Sequence, residues 1–201
     1  VSGTIQTDNN TSRAETGLSR FPADYPCTLE WIQPSMGERT YLMQSGSSRI
    51  ASLTFRSFTG TFATAETAAE SWTFKRIGFL NPKITIRRAN REEDLAVYRP
   101  HVWGDGKIVF ADGSIFIWKP INFWAIEWSL IDPAGEPLLR IKPGVADQSL
   151  PDLLKTQATI EIARASTQME MLPLFSTFCM YLFVIHQMDV SAASAATAAS
   201  M

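Results

Sequence analysis

The sequence predicts a mainly β domain, antiparallel and closed into a barrel around one buried hydrophobic α-helix near the C-terminus. Three observations predict it. From residue 38 to about 164, short runs alternate apolar and polar side chains, the mark of strands with one buried face. Turn residues separate these runs at intervals of about 8–12, the rhythm of hairpins in sandwiches and barrels. Over 171–188 the alternation stops, and the side chains are apolar nearly all round.

Residues 1–37 read as an irregular lead-in, rich in Ser, Thr and Asn at its start and punctuated by Pro22, Pro26 and Pro34. Its first twenty residues are polar and lack the apolar core of a secretory signal. In the strand region, Ala51, Leu53 and Phe55 fall on one face, as do Trp72 with Phe74 and Ile84 with Ile86, while Lys83, Thr85 and Arg87 point outward. Leu95 with Val97, and Ala158 with Ile160 and Ile162, follow the same pattern. The run 115–118 is apolar on both faces and reads as a more deeply covered strand. The clearest alternation is 124–131, with Trp124, Ile126, Trp128 and Leu130 on the buried side. Residues 64–71 (TAETAAES) read as a short helix or a loop. Gly46-Ser47, Asn81-Pro82, Gly104-Asp105-Gly106, Asp112-Gly113 and Asp132-Pro133-Ala134-Gly135 supply turn chemistry between the runs.

The segment 171–188 carries no charged residue when His186 is neutral, and Pro173 suits the first turn of a helix. As a helix it spans about 27 Å, close to the roughly 30 Å of a bilayer core. It therefore reads as either a buried helix or a tail anchor, with residues 172–188 as a transmembrane helix. Packing favours burial. A barrel of about ten to twelve strands is too wide inside for its own side chains to fill, and this is the one helix suited to plug it. The Ser/Ala-rich stretch 189–201 reads as a low-complexity, disordered tail.

Ser71-Trp72-Thr73-Phe74-Lys75-Arg76 and the run ADGSIFIWKPINFWAIEWSLIDPAGEPLLRIKP over 111–143 resemble uncharacterised bacterial members of the tubby C-terminal-like superfamily. That group includes tubby proteins, phospholipid scramblases and LURP-one-related proteins. The resemblance covers residues 38–188 and implies a closed barrel of about twelve strands wrapped around the hydrophobic helix. The chain lacks the Cys-rich lipidation cluster and calcium segment expected of a scramblase, so no functional residue is carried over.

The 201 residues carry a net charge of −2, which predicts no nucleic-acid partner. Two cysteines, Cys27 and Cys179, fit a reducing, cytoplasmic compartment rather than a disulfide framework. His101 and His186 lie far apart, and metal, nucleotide and hydrolase motifs are missing from the sequence, so no cofactor and no enzyme chemistry are expected. The acidic run 92–94 reads as a solvated turn. One charge asymmetry stands out. Lys75, Arg76, Lys83, Arg87, Arg88 and Arg91 fall within seventeen residues free of Asp and Glu. They are candidate lipid-headgroup ligands. The expected partner is an anionic phospholipid or an unknown protein, with the domain cytoplasmic and in contact with a membrane surface.

Overall fold

The computed structural model describes residues 17–78, 81–101, 105–146, 155–163 and 169–199. Twelve antiparallel strands close into a barrel, each paired with its neighbours in sequence and the last with the first. They are β1 (Cys27–Ile32), β2 (Thr40–Ser45), β3 (Ser48–Phe55), β4 (Ala63–Thr67), β5 (Ser71–Ile77) and β6 (Lys83–Arg88), followed by β7 (Ala96–Pro100), β8 (Gly106–Phe110), β9 (Ile115–Pro120), β10 (Trp128–Ile131), β11 (Pro137–Pro143) and β12 (Ala158–Ile162). After a short 3₁₀ turn, Met169–Met171, the helix α1 (Leu172–Ala199) runs back through the barrel.

α1 fills the lumen. Its residues 172, 174–178 and 179–185 are buried, covering every face of more than three turns. Phe175 packs on Phe110 of β8 and Phe116 of β9. One turn on, Phe178 meets Phe74 of β5 and Tyr98 of β7, and Tyr181 stacks on Phe55 of β3. Such contacts on different walls require a helix surrounded by sheet. Among the described residues no helix is long and apolar enough to cross a membrane. The segment weighed above as an anchor lies inside its own barrel from Leu172 to Ile185.

Small residues make room for it. On the inner wall Ala63 sits between Phe55 and Phe74, and Ala65 between Leu53 and Trp72, all in direct register. This corrects the helix-or-loop reading of 64–71. Alanine's helical preference is weak against tertiary packing, and here β4 needs side chains small enough to lie beside α1.

Other expectations change at the edges. The lead-in does not run to 37, because β1 lies within it and closes the barrel against β12 and β2. The tail is not disordered throughout, because α1 continues through Ala199, with residues 189–198 exposed. In β7 the core face is Ala96 and Tyr98, not Leu95 and Val97. The outer face of β9 is open rather than covered, with Ile115 and Ile117 exposed. Strand β10 begins only at Trp128, and Trp124 and Ile126 stand in solvent. Gly104 of the turn read at 104–106 lies outside the described residues, and Gly106 already belongs to β8. Arg164 and residues 1–16 and 200–201 also lie outside them.

Connections after odd-numbered strands gather at one mouth of the barrel, where α1 leaves. There Arg76 forms an ion pair with Asp189 at 2.8 Å, and the Arg39 guanidinium lies 4.2 Å from the centre of the Phe55 ring. Connections after even-numbered strands surround the opposite mouth, where α1 enters.

Candidate functional site

The six basic residues singled out by sequence do not converge. In the β5–β6 hairpin Arg76 lies opposite Ile84, and Trp72 opposite Arg88. Four residues of strand, about 13 Å, therefore separate Arg76 from Arg88. Arg76 faces inward at the exit mouth and is bound to Asp189 through both carboxylate oxygens, 2.9 and 2.8 Å away. Arg88 faces the entry mouth, 3.6 Å from Glu70. Arg87 points outward and is paired with Asp94 at 2.6 Å. Arg91 sits in the turn after β6, donating its backbone N–H to the Arg88 carbonyl. Lys75 and Lys83 share the outer face near the exit mouth.

A larger asymmetry replaces the local cluster. No strand from β5 to β11 contains Asp or Glu, while together they contain ten Lys and Arg residues. Glutamates appear in β1, β4 and β12, as Glu30, Glu66 and Glu161. Strand alternation sends Lys75, Lys83, Arg87, Arg99, Lys107, Lys119, Arg140 and Lys142 outward. Arg87 and Lys142 are paired, the latter with Glu161 at 2.5 Å. Among the described residues the other six have no carboxylate within ion-pairing distance.

Register brings four of them close. Arg99 lies directly opposite Lys107. Lys107 neighbours Ile117 on β9. Lys119, one outward position further along, faces Ser129, which faces Arg140. Strands lie about 4.8 Å apart, so this patch spans roughly 20 Å across β7–β11. Like charges placed opposite each other cost stability, and Arg99 against Lys107 is such a pair. The patch is therefore poised to gain from a counter-charge.

The β9–β10 loop adjoins it at the exit mouth. Phe123 is 93% exposed and Trp124 76%, packed edge to face at 5.3 Å. Ile121 and Ile126 are exposed beside them. The loop is tightly built. The Ile121 N–H donates to the Glu127 carbonyl at 3.0 Å, closing its base. The Asn122 side-chain oxygen accepts from the Ile126 N–H at 2.9 Å, and the Asn122 carbonyl from the Ala125 N–H at 3.1 Å. Ala125 is held at φ 51°, a left-handed conformation unfavourable for a residue with a Cβ. Its carbonyl accepts the indole N–H of Trp128 at 2.9 Å. The Trp128 ring stacks on Trp118 and meets His186 of α1.

The entry mouth has a different character. A cavity of about 420 Å³ is lined there by Trp72, Leu95, Phe110 and Leu174, with Glu70, Arg88, Asp112 and Glu170 among its polar groups. Hydrogen bonds from the Ser114 N–H and hydroxyl hold the Asp112 carboxyl below its usual range. Among the described lining residues, three carboxylates stand against one arginine, so the cavity is acidic.

The remaining titratable groups are scattered. His101 pairs with Asp105 at 2.9 Å. Burial pushes the His186 imidazole down and the Cys27 and Cys179 thiols up. Among the described residues no three His, Cys, Asp or Glu side chains gather as a metal site would require. No family model matches the chain, and neither a curated protein nor a solved structure matches it.

Linear reading missed Arg99, Lys107, Lys119 and Arg140 because they are dispersed over forty residues. The signal that would have found them is the absence of acidic residues from every apolar-polar run between 71 and 143 that became a strand. The loop's signal was Asn122, a turn former inside an apolar run.

Proposed function

We propose that this chain is a non-catalytic domain that docks on an anionic phospholipid surface through the outward faces of β7–β11. The observation that carries the reading is the outward face of β7–β11, where Arg99, Lys107, Lys119 and Arg140 stand without a carboxylate in ion-pairing distance among the described residues, in a chain of net charge −2. The polarity is thus one-sided rather than global. Each Lys or Arg near an anionic leaflet contributes about 1 kcal/mol. Four on one patch supply about 4 kcal/mol, roughly a thousandfold in affinity. The contribution shrinks as salt shortens the Debye length.

The proposal includes kinship with the tubby C-terminal-like superfamily. A barrel of twelve antiparallel strands threaded by one apolar C-terminal helix is what that resemblance implies, and the architecture supports the reading. The scattered histidines and cysteines support a binding role over a catalytic one. The partners are the headgroups, and the place of action is the membrane surface.

The test is co-sedimentation with phosphatidylcholine vesicles, with and without phosphatidylserine, at low and high salt. Binding should require phosphatidylserine, weaken with salt, and be lost in the double variant Lys107→Glu/Lys119→Glu. Equal binding to neutral vesicles, or none to either kind, refutes the proposal.

A further inference from the structure

We infer that the β9–β10 loop is a membrane-inserting anchor, with Phe123 and Trp124 entering the headgroup–acyl boundary while Lys119 meets the phosphates. The inference rests on the anionic-surface reading and adds an apolar component to it. Three observations carry it.

The first is shape. Phe123 touches almost nothing but Trp124, so the tip is convex. A protein partner would need a pocket cut to fit it, whereas a fluid lipid layer closes around any convex apolar tip. Aromatic side chains, Trp above all, favour that interfacial depth.

The second is stiffness. Exposed aromatic rings on a slack loop would fold back onto the barrel to escape water. Here the closure between Ile121 and Glu127, the Asn122 side chain and the strained Ala125 hold both rings outward. Backbone strain of this kind persists only where surrounding structure enforces it, and it concentrates at functional positions. The enforcing group is Trp128, whose indole anchors the Ala125 carbonyl while its ring is locked in the core.

The third is charge complementarity. Lys119 is the last residue but one of the strand that feeds the loop, and Lys107 lies beside that strand. Of the acidic groups at this mouth among the described residues, Asp105 is paired with His101 and Asp189 with Arg76, and Glu127 sits at the loop base. An anionic leaflet would thus meet positive charge around the aromatic tip.

The experiment uses the full chain and vesicles of phosphatidylcholine and phosphatidylserine whose acyl chains carry bromine, a short-range quencher of tryptophan. Bound wild-type protein should show quenching. Trp124→Phe should abolish most of that quenching while still co-sedimenting. The double variant Phe123→Ser/Trp124→Ser should bind at least about tenfold more weakly, the loss expected for withdrawing two aromatic side chains from an apolar phase. Both side chains are in solvent, so thermal melts should match the wild type. If wild-type protein binds these vesicles without quenching, and the double variant binds equally well, the anchor is refuted and the electrostatic reading stands. If wild-type protein does not bind them at all, both fail. Retention on single-stranded RNA that depends on Phe123 and Trp124, without vesicle binding, would overturn the anchor in favour of base stacking.

Discussion

Replacing Phe178 with alanine tests whether α1 is the structural core of the barrel. Phe178 is fully buried midway along the buried stretch of the helix, with ring centres at 5.1 Å to Phe74, 6.0 Å to Tyr98 and 5.9 Å to Tyr181. Removing a buried phenylalanine costs about 3–5 kcal/mol, more where the walls cannot collapse into the space. A closed barrel cannot collapse easily, because its circumference is fixed by hydrogen bonds between all twelve strands. The upper end of that range applies, about 4–5 kcal/mol. For a chain of this size each kcal/mol moves Tm by about 2–4 °C, so Tm should fall by roughly 8–20 °C. Urea unfolding followed by tryptophan fluorescence measures the loss, with an unchanged m-value showing that the native state is still the same barrel. A truncation removing residues 190–201, which leaves the buried turns intact, should cost less than about 1 kcal/mol. A loss below about 1 kcal/mol for Phe178→Ala, or an equal loss for the truncation, would refute the plugged-barrel reasoning.

Two further predictions follow from polar groups in or beside the same helix. Ser176 has a buried hydroxyl without a hydrogen-bond partner among the described residues. Ser176→Ala should therefore stabilise the protein by about 1 kcal/mol, read as a higher urea midpoint, and a lower midpoint would contradict it. His186 has its pKa lowered from 6.5 by desolvation, partly opposed by Asp189. The unfolded chain then takes up the proton first, so His186 contributes stability above its unfolded pKa that is lost as pH falls through the lower, folded value. His186→Phe, which keeps a ring against Trp128, should flatten the fall of the urea midpoint as pH drops below 6.5; an unchanged slope would refute it.

Strands were legible where their two faces differ in chemistry. Trp72 and Phe74 against Thr73 and Lys75, or Ile84 and Ile86 against Lys83 and Arg87, admit one orientation each. Legibility failed where a second force competed with the pattern. In β1, Leu29 and Trp31 give only one period of alternation between Pro26 and Pro34. In β4, alanine's size rather than its propensity decided the structure. In β7, Leu95 and Val97 offered an apolar face as plausible as Ala96 and Tyr98, and Tyr98 won by reaching Phe178. The site was less legible for a geometric reason. Charges near one another in a hairpin's sequence end at opposite mouths of the barrel, as Arg76 and Arg88 do. Charges far apart in sequence come to share one face, as Lys119 and Arg140 do on either side of Ser129.

The misread loop shows where local pattern gives out. Residues 124–131 alternate without a break, and nothing in the side-chain chemistry of Trp124 and Ile126 separates them from Trp128 and Leu130. The difference arises from closure. Asn122 captures the Ile126 N–H, Ala125 turns left-handed, and its carbonyl is taken by the indole of Trp128. That indole is available at this point only because its ring is already stacked on Trp118 and set against His186. The loop's conformation thus depends on the packed core, and the core is complete only when α1 is threaded. An alternation that would bury four residues as a free strand buries two once the barrel forms, and leaves the other two to face whatever lies outside.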